Sequence, residues 1–404
     1  MQTTHQTLTT AELYTKTFRF DMWRGACDGI LTAASQTFCL FIAIRYYDAS
    51  EGIKSAIAGA PFMGMFCSLL LVHYASSTGW KKSTCAALPS IITGVGLALA
   101  GLVDSILAFA ALVIIGFICR SALLPFVTAI YGENYPRGKR ASYFSKPLMM
   151  TVGVSAAFGV AGSLILEADI ENFRWLFIFL GCAGLVKAYS IYSMPSQPIE
   201  VGAHKHPFGN LKYLFTDPSY GYVLLTWFIM GFANLWTLPL KVDYIASAKY
   251  GIEASPFMVA FIITILPDTM RFLFIPFWAR LFDKINFIVL RIILNLSFAT
   301  GILLFFITED LWIIGLGSAL IGFSFAGGSI AWNLWVTKYA PPGKTAAYMS
   351  VHVFLTGVRG SIGPFIGYWV ANQIGVASIG WVSFGMMIFA SLMLIPQIKM
   401  VREA

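Results

Sequence analysis

Long apolar runs separated by short polar stretches recur along the whole chain. Twelve spans are legible, at about 22–46, 56–78, 83–103, 106–131, 145–166, 174–194, 219–241, 256–279, 286–307, 311–336, 350–373 and 376–397. Each is close to the roughly 20 residues an α-helix needs to cross the hydrocarbon core of a bilayer. Continuous apolarity, in place of short alternating segments, excludes a transmembrane β-barrel. The pattern predicts an all-α integral membrane protein with twelve transmembrane helices in two six-helix bundles. The longest polar connection runs from Pro195 to Ser219. It divides the chain into an N-terminal six-helix bundle at 1–194, a cytoplasmic linker at 195–218 and a C-terminal six-helix bundle at 219–404. Within the linker, NLKYLF is read as a short interfacial helix.

Two polar turns repeat. YPRGKRASYFS, Tyr135 to Ser145, matches APPGKTAAYMS, Ala340 to Ser350, at Pro136/Pro341, Gly138/Gly343, Lys139/Lys344, Ala141/Ala346, Tyr143/Tyr348 and Ser145/Ser350. Each copy follows an Ile-Gly-Phe triplet, at Ile115–Phe117 and Ile321–Phe323, and precedes a matched pair, Thr151/Thr356 and Gly162/Gly367. Spans 1 and 7 align through Gly25/Gly231 and Asp28/Asn234. Halves with an even number of helices share one orientation, so this is a parallel repeat about an axis along the membrane normal.

Composition agrees: 58% of residues are hydrophobic, 15% aromatic and 11% charged, against roughly 25% charged in soluble domains. The net charge of +8 reads as cytoplasmic-loop anchoring and not as nucleic-acid binding. With both termini inside, Lys81, Lys82, Arg137, Lys139, Arg140, Lys284 and Lys344 fall in cytoplasmic loops, while Asp48, Asp104, Asp169, Glu253 and Asp310 fall outside. That is the positive-inside bias, and it places the chain in a cell (plasma or inner) membrane. The polar first 20 residues lack a cleavable signal. The six cysteines show no metal-ligand spacing and read as free, buried thiols. No metal cluster, nucleophile elbow or P-loop is present, so an enzyme, a cofactor and ATP-driven pumping are not expected.

The chain resembles the major facilitator superfamily of secondary transporters over essentially its whole length. That family carries Gly-x-Leu-x-Asp-Arg-x-Gly-Arg between helices 2 and 3, often repeated between helices 8 and 9. In VHYASSTGWKK only Gly79, Lys81 and Lys82 keep the pattern, with Ser76 at the aspartate position. ARLFDKIN keeps it better, through Ala279, Leu281, Asp283 and Lys284, with Asn286 replacing the second glycine as a residue that tolerates a left-handed turn. The resemblance implies two halves rocking around a midplane site, with helices 3, 6, 9 and 12 toward lipid. Span charges concentrate on helices 1, 2, 4, 8 and 11. Lys187 and Arg291, near the ends of helices 6 and 9, are the exceptions.

Ionisable groups in spans are functional candidates. Arg24 and Asp28, four residues apart, share one helix face, and Asp28 is a candidate proton-coupling group. Asp268, beside Pro267 and three residues from Arg271, is the second. Arg120 and Arg359 are candidate substrate ligands, as is Arg24. Gln36, Asn234, Trp236, Trp332 and Asn333 are candidates for a polar-aromatic pocket, with Trp335 near the face of Trp332. His73 and His352 read as structural. The resemblance also implies an inner latch, Asp283 meeting the start of helix 5 near Arg137, Lys139 and Arg140.

These features point to secondary active transport of a small polar or anionic organic solute by alternating access, coupled to H+, by a monomer in the lipid bilayer. Proton-driven drug or amphiphile efflux is a second reading. It is weakened because helix 5, GVSAAFGVAGS, lacks the Gly-Pro-x-x-Gly element common in family exporters. A non-transporting receptor or scaffold with the same fold is a third.

Overall fold

The computed structural model describes residues 10–135, 140–199, 208–282, 284–341 and 344–399. Among these, twelve long helices run α1 Glu12–Arg45, α2 Glu51–Ala75, α3 Lys82–Ala100, α4 Ile106–Asn134, α5 Arg140–Ala168, α6 Phe173–Tyr192, α7 Pro218–Ala246, α8 Pro256–Phe282, α9 Phe287–Phe306, α10 Leu311–Leu334, α11 Thr345–Ile374 and α12 Val376–Leu394. Eleven are both long and apolar enough to cross a bilayer. The other, α11, is long enough at 30 residues but carries His352, Arg359, Asn372 and Gln373.

Several helices are interrupted, each for a local reason. A new segment starts at Leu124-Pro125 in α4 and at Leu238-Pro239 in α7; proline suits a first turn because it has no N–H to satisfy there. In α8 a π-helical turn, Phe261–Ile265, precedes Pro267, whose missing donor leaves a carbonyl free upstream. A second π turn, Ala34–Phe38, sits in α1. The two π turns meet: Thr37 and Thr264 share a buried 2.6 Å hydrogen bond between the halves.

The packing order repeats. In the first half α1 packs on α5, α2 on α4, and α3 on α4 and α6. In the second half α7 packs on α11, α8 on α10, and α9 on α10 and α12. The α3–α6 contact is close because Gly94 and Gly181 face each other; a Cβ on Gly94 would meet the Gly181 carbonyl at 2.8 Å. Between halves, α2 packs on α11 and α5 on α8, a pair that a two-fold axis interchanges.

Several polar contacts cross between the halves at one end. Lys54 of α2 donates to Asp243 of α7 at 2.8 Å, and Tyr368 of α11 donates to the same oxygen at 3.0 Å. Arg45 donates to the carbonyls of Ala246 and Ala254, the latter at 2.7 Å. Glu51 accepts from Lys249 at 3.0 Å and from Asn372 at 2.7 Å, and Glu167 accepts from the Phe257 amide at 2.9 Å. Ser55 to the Pro364 carbonyl, Arg45 to Glu253 and the mid-depth Thr37–Thr264 bond also join the two bundles.

Several expectations change. α1 begins at about residue 12 and α2 at Glu51, each earlier than hydropathy indicates; Asp21 and Lys54 are therefore helical and buried. Of the cysteines, Cys182 is exposed and Cys67 and Cys119 are half-buried, so the thiols are not uniformly buried. Asn286 has φ −56° and caps α9, accepting from the Ile288 amide at 2.8 Å, in place of a left-handed turn. Gly79 does adopt φ +65°. In the linker, Gly209–Lys212 and Tyr213–Thr216 form short helical turns. Of the expected latch, Asp283, Arg137 and Lys139 lie outside the described residues, as does the side chain of Arg140.

Candidate functional site

Thr17, Asp21, Arg24, Asp28 and Thr32 follow one another on α1 at spacings of three and four residues, which stacks them on a single face. Arg24 bridges the two carboxylates, donating from Nε to Asp21 and from Nη1 to Asp28, both at 2.6 Å. The other Asp28 oxygen accepts from Arg120 of α4 at 3.2 Å and from Lys187 of α6 at 2.7 Å. Arg120 also donates to the Thr32 hydroxyl at 2.7 Å. Fully buried Asp21 accepts from the Tyr131 and Tyr135 hydroxyls at 2.7 and 3.2 Å.

Three helices thus converge on Asp28, and the cluster holds three cations against two carboxylates. Asp28, Arg24 and Arg120 keep 17, 12 and 16% of their side-chain surface exposed, so the cluster is not sealed within the bundle. A carboxylate shared by several cations stays ionised while they remain; removing them in a low-dielectric site favours its proton-bound form.

Lys187 departs from the sequence reading, in which α6 faces lipid and carries its charge near the helix end. Lys187 is instead 2% exposed, in helical register with buried Leu180, Ala183 and Ser190. That register was the available signal: the lysine interrupts the packed stripe, not the lipid stripe. Arg291 departs similarly, being 6% exposed on α9.

The C-terminal bundle is built differently. Asp268 accepts from Arg271 at 2.7 Å through one oxygen, and its other oxygen is buried without a partner. Arg359 donates to the Trp227 carbonyl and, at 3.0 Å, to Thr356; it does not meet Asp268. Arg291 lies 3.8 Å above the ring of Trp227. His352 is fully buried two turns into α11, with the rings of Trp227, Trp332 and Trp335 centred 5.1, 5.2 and 5.2 Å from its own.

Of the expected pocket residues, the tryptophans have partners within the C-terminal bundle. Trp236 is buried within its own bundle, donating to Ser383 of α12 at 2.7 Å, and so does not line a surface between the halves. Trp335 is fully buried, stacked on Tyr220 and Trp227. Trp332 is half-buried beside His352. Gln36 and Asn234, on α1 and α7, each hold a buried carbonyl oxygen without a partner. The Asn333 side chain lies outside the described residues.

The repeated packing order matches a sequence-level finding: the model of the Major Facilitator Superfamily matches residues 29–364. The chain belongs to that superfamily. Solved members share the fold at low identity. A point mutant of the nucleoside transporter NupG superposes with a TM-score of 0.74 at 12% identity, covering 96% of this chain and 100% of that one. A D-xylose-proton symporter gives 0.73 at 16%, covering 95% and 97%. A peptide transporter, POT, in complex with sulfate gives 0.75 at 12%, covering 98% and 100%. No curated protein matches at the sequence level. This superfamily member is a multi-pass membrane protein with the transporter fold, and the family and these neighbours are transporters, not enzymes.

Proposed function

We propose that the protein is a secondary active transporter that moves a small anionic organic solute together with a proton by alternating access. The observation that carries this reading is Asp28, one carboxylate holding Arg24, Arg120 and Lys187 from three helices. An incoming anion competes for those cations. Asp28 released from them binds a proton, so solute and proton load together. Loss of the solute returns the cations to Asp28 and expels the proton. Positive charge in surplus around the cluster favours an anion over a neutral or cationic solute. The Lys54–Asp243 pair and the contacts of Arg45 and Glu51 across the bundle interface support a state closed at that end. Basic loops at the opposite end support assigning that end, with both termini, to the cytoplasm.

The chain divides functionally at its linker, with residues 1–194 supplying the proton-coupling hub and 219–404 the opposing wall. Asp268, half-partnered and buried, is a second proton-binding candidate in that wall. Solute-induced proton exchange tests the coupling. Purified protein in lightly buffered detergent is mixed with lactate, gluconate or succinate while a pH dye is read. An alkaline shift from at least one anion, absent in Asp28→Asn, is expected. An anion that binds without a pH change, or an equal shift in Asp28→Asn, would sink the Asp28 mechanism.

A further inference from the structure

The C-terminal bundle contains two buried guanidinium groups with no carboxylate beside them among the described residues. Arg291, 6% exposed, finds the face of Trp227 and, at 3.0 Å, the sulfur of Met230. Thioether sulfur is a weak acceptor and compensates no charge. Arg359, 4% exposed, donates to the Trp227 carbonyl and the Thr356 hydroxyl, while its Nε has no partner. A Cβ on Gly231 would collide with the Arg359 guanidinium, so this backbone lets the arginine lie flat against α7.

Most of the unpartnered atoms around these arginines can donate. Both nitrogens of His352, the indole N–H groups of Trp227 and Trp335, the Tyr339 hydroxyl and Arg359 Nε are all buried and unsatisfied. His352 packs against both indoles and lies within electrostatic reach of both arginines. Indole and guanidinium groups only donate, a phenol can donate, and a neutral imidazole donates from one of its two nitrogens. Buried polar groups are ordinarily satisfied, and buried charges are ordinarily paired. What is missing here is a negatively charged acceptor. The N-terminal bundle shows the contrast, because its cations have Asp21 and Asp28.

We propose that Arg291, Arg359, His352, Trp227 and Trp335 form a buried oxyanion subsite between α7, α9, α10 and α11, suited to a carboxylate or phosphate group. Its assignment to the cargo's own anionic group rests on the transporter reading; occupation by a co-bound inorganic anion does not. Guanidinium groups present planar donors that fit two-oxygen acceptors. The surrounding tryptophans exclude water and strengthen that attraction. Half-buried Trp332 is the site's edge.

The site supplies its own optical probe. Tryptophan fluorescence of the purified full chain, titrated with phosphate, sulfate, succinate and benzoate against chloride at matched ionic strength, reports binding. At least one oxyanion is expected to bind saturably, with affinity lowered tenfold or more in both Arg291→Gln and Arg359→Gln. Trp335→Phe, which deletes one donor and keeps the ring, is expected to weaken binding about threefold and guards against variants that misfold. Wild-type thermal stability should rise with the same anion. Absence of saturable binding by every oxyanion, or equal affinity in wild type and the well-folded variants, would overturn the subsite. Uptake of the bound anion into proteoliposomes assigns it as cargo, and binding without uptake assigns a co-bound anion; both uphold the subsite. Failure of any solute to accumulate under a proton gradient would instead count against the transporter reading and leave the subsite standing.

Discussion

At the residue scale, Asp28 and Lys187 separate what sequence reveals from what it hides. The spacing of Arg24 and Asp28 was enough to place them on one face, and Arg120 stood out as a charge in mid-span. Asp21 lay outside the hydropathy window because the stretch before it, LYTKTFRF, mixes polar and apolar residues. Lys187 was misplaced because hydropathy reports depth, not azimuth, and a lysine near a helix end commonly snorkels. Stability should follow the geometry. Asp28→Asn leaves three cations without their shared acceptor and is expected to cost about 3 kcal/mol. Lys187→Met leaves Arg24 and Arg120 on Asp28 and should cost about 1 kcal/mol or less. Denaturation in mild detergent, compared at one pH, ranks the two; a larger loss for Lys187→Met would contradict the shared-acceptor geometry.

At the scale of elements, the spans were legible because eleven of them are long apolar runs and α11 follows from the internal repeat. Their true ends were not, because the terminal turns are closed by charges that pair across the bundle. Lys54 and Asp243 illustrate this: each lies beyond the span expected from hydropathy, and together they join α2 to α7 with Tyr368 of α11. Breaking a buried pair is costly to the state that contains it. Asp243→Asn should raise the population open at that end tenfold or more, equal to about 1.4 kcal/mol. Spin labels at Gly52 and Gln373, in a background lacking exposed Cys182, should show a longer distance; an unchanged distance distribution would reject the lock. The α3–α6 contact gives a second prediction. Gly181→Leu places a side chain against the Gly94 backbone and Ala98, and is expected to lower the unfolding temperature and the folded yield, read by size-exclusion fluorescence. Gly328→Leu, at a glycine with open space around it, serves as the tolerated comparison.

At the scale of the whole molecule, the internal repeat was the strongest sequence signal, since similarity at half the chain length implied two like-oriented bundles. The bundles are alike in packing and unlike in chemistry. One gathers its cations around carboxylates, and the other buries two arginines without an anion. Residue matching cannot show that asymmetry, because Lys187 and Arg291 owe their roles to neighbours on other helices. The central claim is that Asp28 couples proton and solute movement between the bundles. Proteoliposome uptake of labelled lactate, succinate and gluconate, under an imposed pH gradient and with D-xylose as a neutral comparator, tests it most directly. Wild type should accumulate at least one anion and lose accumulation with a protonophore, while Asp28→Asn should exchange that anion across the membrane without concentrating it. Accumulation by Asp28→Asn equal to wild type would contradict the account.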